Sequence, residues 1–378
     1  MADVNNQKTT SPSAQLNAGP AAIEALRSLV EDHHSKSIFA CGGKVPVLSQ
    51  ESQEGSRNAI ASLPVDLRWD ALAPATDNSK EETATKDVSS KQTKLVVPLE
   101  PETEGNIKQL LADTQPATFG LGGEHVYDEK YRKAAKMDPS QFSTSFNPYT
   151  LGIIDETAQT LLPSARGSKR ARSVRAELYK LNIYSGPSGK FKAHVDTPRT
   201  EDQFGSLVES KAEGEPFIRW AAFYSDCEHE VFEVTSGHRL TLTYNLYAVR
   251  GNGLLAGHCQ TLDATQLPFY KQVVDILKDG TFMGNGGCLG FYCQHTYPHS
   301  SKASGLPATL KGIDMMLYET FRVLGDIVWT TKPKHEEPQL VYVAYGNQPT
   351  SQVLYSSCAI IVDIPAWAER RTAAALSE

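Results

Sequence analysis

Between residues 177 and 247 one strand-like segment follows another with no helical segment between them, and this succession restricts the fold more than any other feature of the chain. Segments 177–184, 191–196, 219–225 and 239–247 alternate apolar and polar residues with period two and are rich in β-branched and aromatic side chains. Turn-forming runs such as Ser185-Gly186-Pro187-Ser188-Gly189 separate them. Strands joined without crossover helices pair antiparallel, because a parallel pair needs a long crossover, so a doubly wound sheet is excluded.

Helical periodicity flanks this core. Ile23, Leu26, Leu29 and Val30 share a face over 20–34, segment 264–278 reads as a second helix, and Leu310, Ile313, Leu317, Phe321 and Leu324 form an apolar stripe on a third. A short strand (95–97), helical patches at 107–111 and 129–137, and strands at 339–345 and 359–364 complete the pattern. The polar composition of 1–17 predicts a disordered tail, and that of 75–93 a solvated loop. The chain therefore divides into the tail 1–17, an N-terminal α/β region 18–175 carrying the loop 75–93, a β core 176–250 and a C-terminal α/β region 251–378. The class is α+β.

With 378 residues, 40% hydrophobic and 21% charged, the chain can bury a sizeable core. A net charge of −7 argues against a general nucleic-acid binder, which needs clustered Lys and Arg. The one basic cluster, Lys169, Arg170, Arg172 and Arg175, reads as a solvated connector. No run approaches the ~20 apolar residues of a spanning helix, and the first residues lack the basic-then-apolar order of a secretory signal. Six scattered cysteines do not make a disulfide scaffold. These features predict an intracellular protein, of cytoplasm or nucleus, with neither membrane nor nucleic acid as partner.

The chemistry concentrates in the core. His194-Val195-Asp196 falls on a predicted strand, where residues i and i+2 point to one face, so both side chains can reach one metal ion. Downstream, Ser225-Asp226-Cys227-Glu228-His229 ends an aromatic strand and supplies a second imidazole. Two His and one carboxylate on one face of an octahedron form the facial triad of non-haem Fe(II) oxygenases. Ten positions after His229 stands Arg239, which shares a strand face with Thr241 and Thr243. Its planar fork suits a carboxylate.

Tyr184, His194, Asp196, His229 and Arg239, in that order and spacing, resemble the prolyl-4-hydroxylase-like branch of the Fe(II)/2-oxoglutarate dioxygenases, especially its fungal proteins of unassigned substrate. The likeness is strongest over 178–197 and 219–246. It implies a double-stranded β-helix (jelly-roll) core and Fe(II) held by His194, Asp196 and His229. It also implies 2-oxoglutarate anchored by Arg239 with Tyr184 or Thr241 assisting, O₂ as oxidant, and ascorbate as an accessory. The implied reaction couples decarboxylation of 2-oxoglutarate to C–H hydroxylation of a protein or small-molecule substrate. The alternative is a non-catalytic relative acting as a metal-binding or interaction module.

One departure stands out. Only 32 residues lie between Asp196 and His229. At ~5–6 residues per strand that leaves room for two or three strands, where the family carries an additional hairpin. Here segment 204–208 leads through a polar link, 209–215, directly into the strand beginning at Phe217. Two readings of the core follow: a compact variant in which the loop closes and the triad still assembles, or a core lacking one hairpin, with an opened barrel.

Other clusters read as structural. Cys288, Cys293, His295 and His299 lack the long separation between ligand pairs found in zinc fingers, and His229-Glu230 has no second His after it to complete a zinc-protease pattern. Cys227 reads as a small strand-end residue rather than a nucleophile. His238 is expected to point away from the pocket, and Lys192 to share the face of His194.

Overall fold

The computed structural model describes residues 20–35, 38–47, 61–71, 91–97, 104–162, 172–212, 217–250, 263–299, 305–325, 329–330, 334–341, 345–346 and 354–370. The tail 1–17, most of the loop 75–93 and two members of the basic cluster, Lys169 and Arg170, lie outside the described residues.

Helix α1 (Pro20–Ser35) is followed by strands β1 (Ala40–Pro46), β2 (Val65–Ala71) and β3 (Lys91–Val97), then helix α2 (Glu104–Asp113). Six short strands come next: β4 (Gln115–Pro116), β5 (Phe119–Leu121), β6 (Glu124–Val126), β7 (Arg132–Lys133), β8 (Ala135–Met137) and β9 (Phe142–Thr144). Helix α3 (Ile153–Leu161) leads into the long strands of the core, β10 (Arg172–Ser185), β11 (Gly189–His194), β12 (Gln203–Ala212), β13 (Phe217–Tyr224), β14 (His229–Val234) and β15 (His238–Arg250). The C-terminal part holds α4 (Pro268–Lys278), β16 (Gly287–Tyr292), β17 (Tyr297–His299), α5 (Gly312–Val323), β18 (Trp329–Thr330), β19 (Lys334–Val341), β20 (Tyr345–Gly346) and β21 (Leu354–Ile364).

The named strands all pair antiparallel. A seven-stranded sheet runs β1-β13-β12-β15-β10-β8-β4, and a small sheet runs β14-β11-β7. The alternation of the long strands explains how both faces of the large sheet become buried. Leu181 and Ile183 of β10, with Leu240, Leu242, Tyr244 and Leu246 of β15, join a core with Ile107 and Leu110 of α2 and Ile153 and Ile154 of α3. Their odd-face neighbours Lys180, Asn182, Tyr184, Thr241 and Thr243 turn to the opposite side and line a cleft against Phe191, His194, His229 and Val231 of the small sheet. A second core joins α1, α4 and α5 to β21, through Leu26, Phe269, Val273, Leu317, Phe321 and Ile360.

Three predicted elements are corrected. Segment 129–137, expected to be helical, is a turn followed by β7 and β8; Tyr131 and Arg132 amides close on the Asp128 carbonyl before the chain extends. The polar link 209–215 begins as strand: β12 continues to Ala212, with Glu209, Ser210 and Lys211 all buried, the first two paired between β13 and β15 and Lys211 paired with β15. Tertiary pairing there overrides a polar composition that reads as loop. The predicted helix 264–278 is divided: Ala264–Gln266 form a 3₁₀ turn, and the α-helix begins at Pro268, whose fixed φ and missing N–H suit a first helical position.

The 32 residues between Asp196 and His229 contain two strands, β12 and β13, and both belong to the large sheet. They pair with each other, Gly205 opposite Tyr224 through Ser210 opposite Arg219. No strand from this stretch enters the small sheet, so among the described residues the outer edge of β14 has no strand partner.

Candidate metal centre

His194 ends β11 and His229 opens β14, and the two are directly opposed across the strand pair. Their ring centroids are 4.3 Å apart. Asp196 follows two residues after His194, with its Oδ1 3.8 Å from His229 Nε2. One donor atom from each of the three residues lies within 4.8 Å of the others. Among the described residues no other set of three His, Cys, Asp or Glu donors gathers this closely.

Hydrogen bonds fix which atoms face the shared point. His194 Nδ1 lies 2.9 Å from the Lys192 carbonyl, and His229 Nδ1 lies 3.1 Å from the Cys227 carbonyl. A carbonyl only accepts, so each Nδ1 carries the proton and donates it, leaving both Nε2 lone pairs free. Metal-ligating histidines are oriented this way as a rule. Ser206 Oγ donates a very short hydrogen bond to Asp196 Oδ2, and Tyr355 donates to the Asp196 backbone carbonyl at 3.1 Å. Burial, reinforced by the neighbouring His229, holds His194 well below the usual imidazole range, so it is neutral at physiological pH. His194 stacks on Phe191 at 3.5 Å, and His229 packs on Phe223 at 4.5 Å.

The cleft has a cavity volume of about 50 Å³, below the ~300–1,000 Å³ typical of small-molecule sites. Tyr184 and Thr241 line it together with the three metal candidates. Arg239 does not; it opposes Tyr184 and Ala212 in the sheet register and directs its guanidinium to Ser210 Oγ at 3.4 Å. Tyr184 is fully buried, which raises its phenol above the ordinary range, while Arg132 and Arg239 both pull against that shift.

Among the residues lining the cleft that were not singled out in the sequence are Arg132, Lys180 and Asn182. The last two share a strand face with Tyr184, so the period-two pattern could have found them. Arg132 could not be found this way, because it reaches the cleft from a two-residue strand in a segment with helical spacing. Of the remaining sequence candidates, His238 meets the Ser185 hydroxyl at 2.9 Å, and His295 joins Asp226 at 3.2 Å.

No protein-family model matches the chain, and no curated protein matches it in sequence. Among solved structures it is similar to an oxidoreductase of the 2OG-Fe(II) oxygenase family from Burkholderia pseudomallei. That similarity has 14% identity and a TM-score of 0.19, over 39% of this chain and 80% of the other. A likeness of that degree carries no argument here, and the centre stands on its own geometry. In the described residues no helix is long and apolar enough to cross a membrane.

Proposed function

We propose that the protein is an Fe(II)/2-oxoglutarate-dependent oxygenase of the prolyl-4-hydroxylase-like type, with His194, Asp196 and His229 as its iron ligands. The observation carrying this reading is the convergence of two free Nε2 atoms and one carboxylate, each imidazole locked through Nδ1 to a backbone carbonyl. With Fe(II) bound, the chemistry supplied is oxidation: 2-oxoglutarate, O₂ and a substrate C–H become succinate, CO₂ and a hydroxylated product. Three ligands on one octahedral face leave three positions for small molecules. Ser206 binds Asp196 Oδ2 and so orients the carboxylate, with Oδ1 on the side of His229 Nε2, where it would meet the metal. Phe191 and Val231 give the cleft an apolar wall that excludes water. Of the three residues that the family resemblance implies for the far carboxylate of the cosubstrate, Tyr184 and Thr241 line the cleft and Arg239 does not.

The order β13-β12-β15-β10, facing β14-β11 across the cleft, supports a jelly roll of two facing sheets. In this reading the small sheet lacks one hairpin, one of the two outcomes that the short spacer allowed. The same loss favours a second reading, a non-catalytic metal-binding module, because the edge of β14 beside the metal is left open.

An anaerobic titration separates the two. Fe(II) followed by 2-oxoglutarate is expected to produce the weak visible charge-transfer band of a chelated complex, and admission of air is expected to release succinate. Both signals should vanish in His194→Ala. Metal binding with neither band nor succinate would select the non-catalytic module, and failure to bind metal would remove both readings.

A further inference from the structure

We propose that the carboxylate end of the metal-chelating anion is held in this protein by Arg132, with Thr241 and Lys180 beside it, rather than by Arg239. This rests on the oxygenase reading for the identity of the anion, but the site itself is argued from groups already in the cleft.

Arg132 is 3% exposed. Its two terminal nitrogens are occupied by neutral acceptors, the Thr118 carbonyl at 2.7 Å and Asn182 Oδ1 at 2.8 Å, and its guanidinium also bears on the Tyr184 hydroxyl. Its Nε–H has no partner among the described residues, and no carboxylate there forms an ion pair with it. Thr241, 4% exposed, has a hydroxyl that is likewise unpartnered among the described residues. Both line the cleft that holds the metal ligands.

The register brings these groups together. Asn182, which receives the Arg132 guanidinium, lies directly opposite Thr241, and Lys180 lies directly opposite Thr243 on the same cleft-facing side. Lys180 Nζ reaches the Tyr179 hydroxyl at 3.0 Å. Burial pushes its ammonium down to about 7, and the neighbouring Lys136 and Arg132 push the same way against Asp138. A buried cation without a counter-ion is costly, and orphaned buried donors add to that cost. A carboxylate in this corner would relieve all three groups at once. Arginine is also the residue best shaped to take one.

The Phe191 ring is sandwiched between the Arg132 guanidinium, 4.3 Å from its centroid, and the His194 imidazole, 3.5 Å from it. One aromatic ring thus separates the cationic corner from the metal ligands. Arg239 stands one register step beyond Thr241, with its guanidinium turned to Ser210.

Calorimetric titration of 2-oxoglutarate into the full chain loaded with Mn(II), under argon, tests the assignment without relying on turnover. Arg132→Gln is expected to weaken 2-oxoglutarate binding at least tenfold while Mn(II) affinity stays within twofold, and by more than Arg239→Gln does. Thr241→Val and Lys180→Met, which leave the Arg132 contacts to Thr118 and Asn182 untouched, are each expected to weaken it several-fold. These two keep the test open should Arg132→Gln fold poorly. Losses confined to Arg239→Gln, with Thr241→Val and Lys180→Met binding like wild type, would overturn the proposal. If the wild type binds Mn(II) but not 2-oxoglutarate, the oxygenase reading fails, and titration with succinate and inorganic phosphate decides the site. Anion binding lost in Thr241→Val and Lys180→Met would retain the site for a different anion, and no anion binding would overturn it.

Discussion

Glu209 lies on the core-facing side of β12, 5% exposed, and one of its carboxylate oxygens has no partner among the described residues. Burial raises its pKa to about 8, so it folds protonated at neutral pH. A carboxyl raised in the native state binds more protons folded than unfolded between the unfolded value, ~4.3, and about 8. Stability therefore falls as pH rises through that window. Glu209→Gln, neutral and of the same shape, is expected to stabilise the protein at pH 8 and flatten the pH dependence of urea unfolding between pH 5 and pH 8. At the metal, Ser206→Ala removes the hydrogen bond that fixes Asp196 Oδ2. Losses of such supporting partners typically cost ~10–100-fold in metal affinity, and Co(II) titration should show a fall of that order. The three metal candidates were legible because the i, i+2 rule works on any strand. Ser206 and Arg132 were not, since their roles depend on which strand lies opposite, and no local pattern records that.

At the scale of elements, legibility followed length. β10 and β15, 14 and 13 residues long, repeat their alternation often enough to be read directly. β7 has two residues, too few to show any period, and the helical spacing around it misled. β12 failed for another reason: its polar residues are buried in the ladder, so composition and environment disagree. The short spacer between Asp196 and His229 was visible in the sequence, and both of its strands join the large sheet, leaving the edge of β14, where Phe232 is 75% exposed. An uncovered edge with an exposed aromatic invites pairing with another chain. Phe232→Lys is expected to suppress concentration-dependent light scattering on mild heating while changing unfolding free energy by no more than ~0.5 kcal/mol.

Across the whole molecule, the C-terminal region braces the metal centre. Lys311, fully buried, forms an ion pair at 2.5 Å with Asp226, which stands in the turn between β13 and β14 just ahead of His229. His295 Nδ1 and the Thr296 amide also meet Asp226, at 3.2 and 3.1 Å. Burial would raise the Asp226 carboxyl, but Lys311 and His295 outweigh it and hold the group well below the usual carboxylate range. The stability this contributes is present above the unfolded value, ~3.9, and is lost as pH falls toward the depressed folded value. Lys311→Met, which strands a buried carboxylate, is expected to cost about 3–5 kcal/mol in urea unfolding at pH 7, and adding Asp226→Asn should recover part of it. None of these contacts was legible in the sequence, because a pairing between residues 85 positions apart leaves no local trace. The hydroxyl of Tyr355 reaches the backbone of Asp196 across 159 positions. During synthesis, a nascent chain that has emerged only as far as Arg250 already carries His194, Asp196 and His229, yet has none of these braces. The contacts that hold Asp196 and the turn ahead of His229 form only when the later segments arrive, so these three side chains are made before the framework that fixes them.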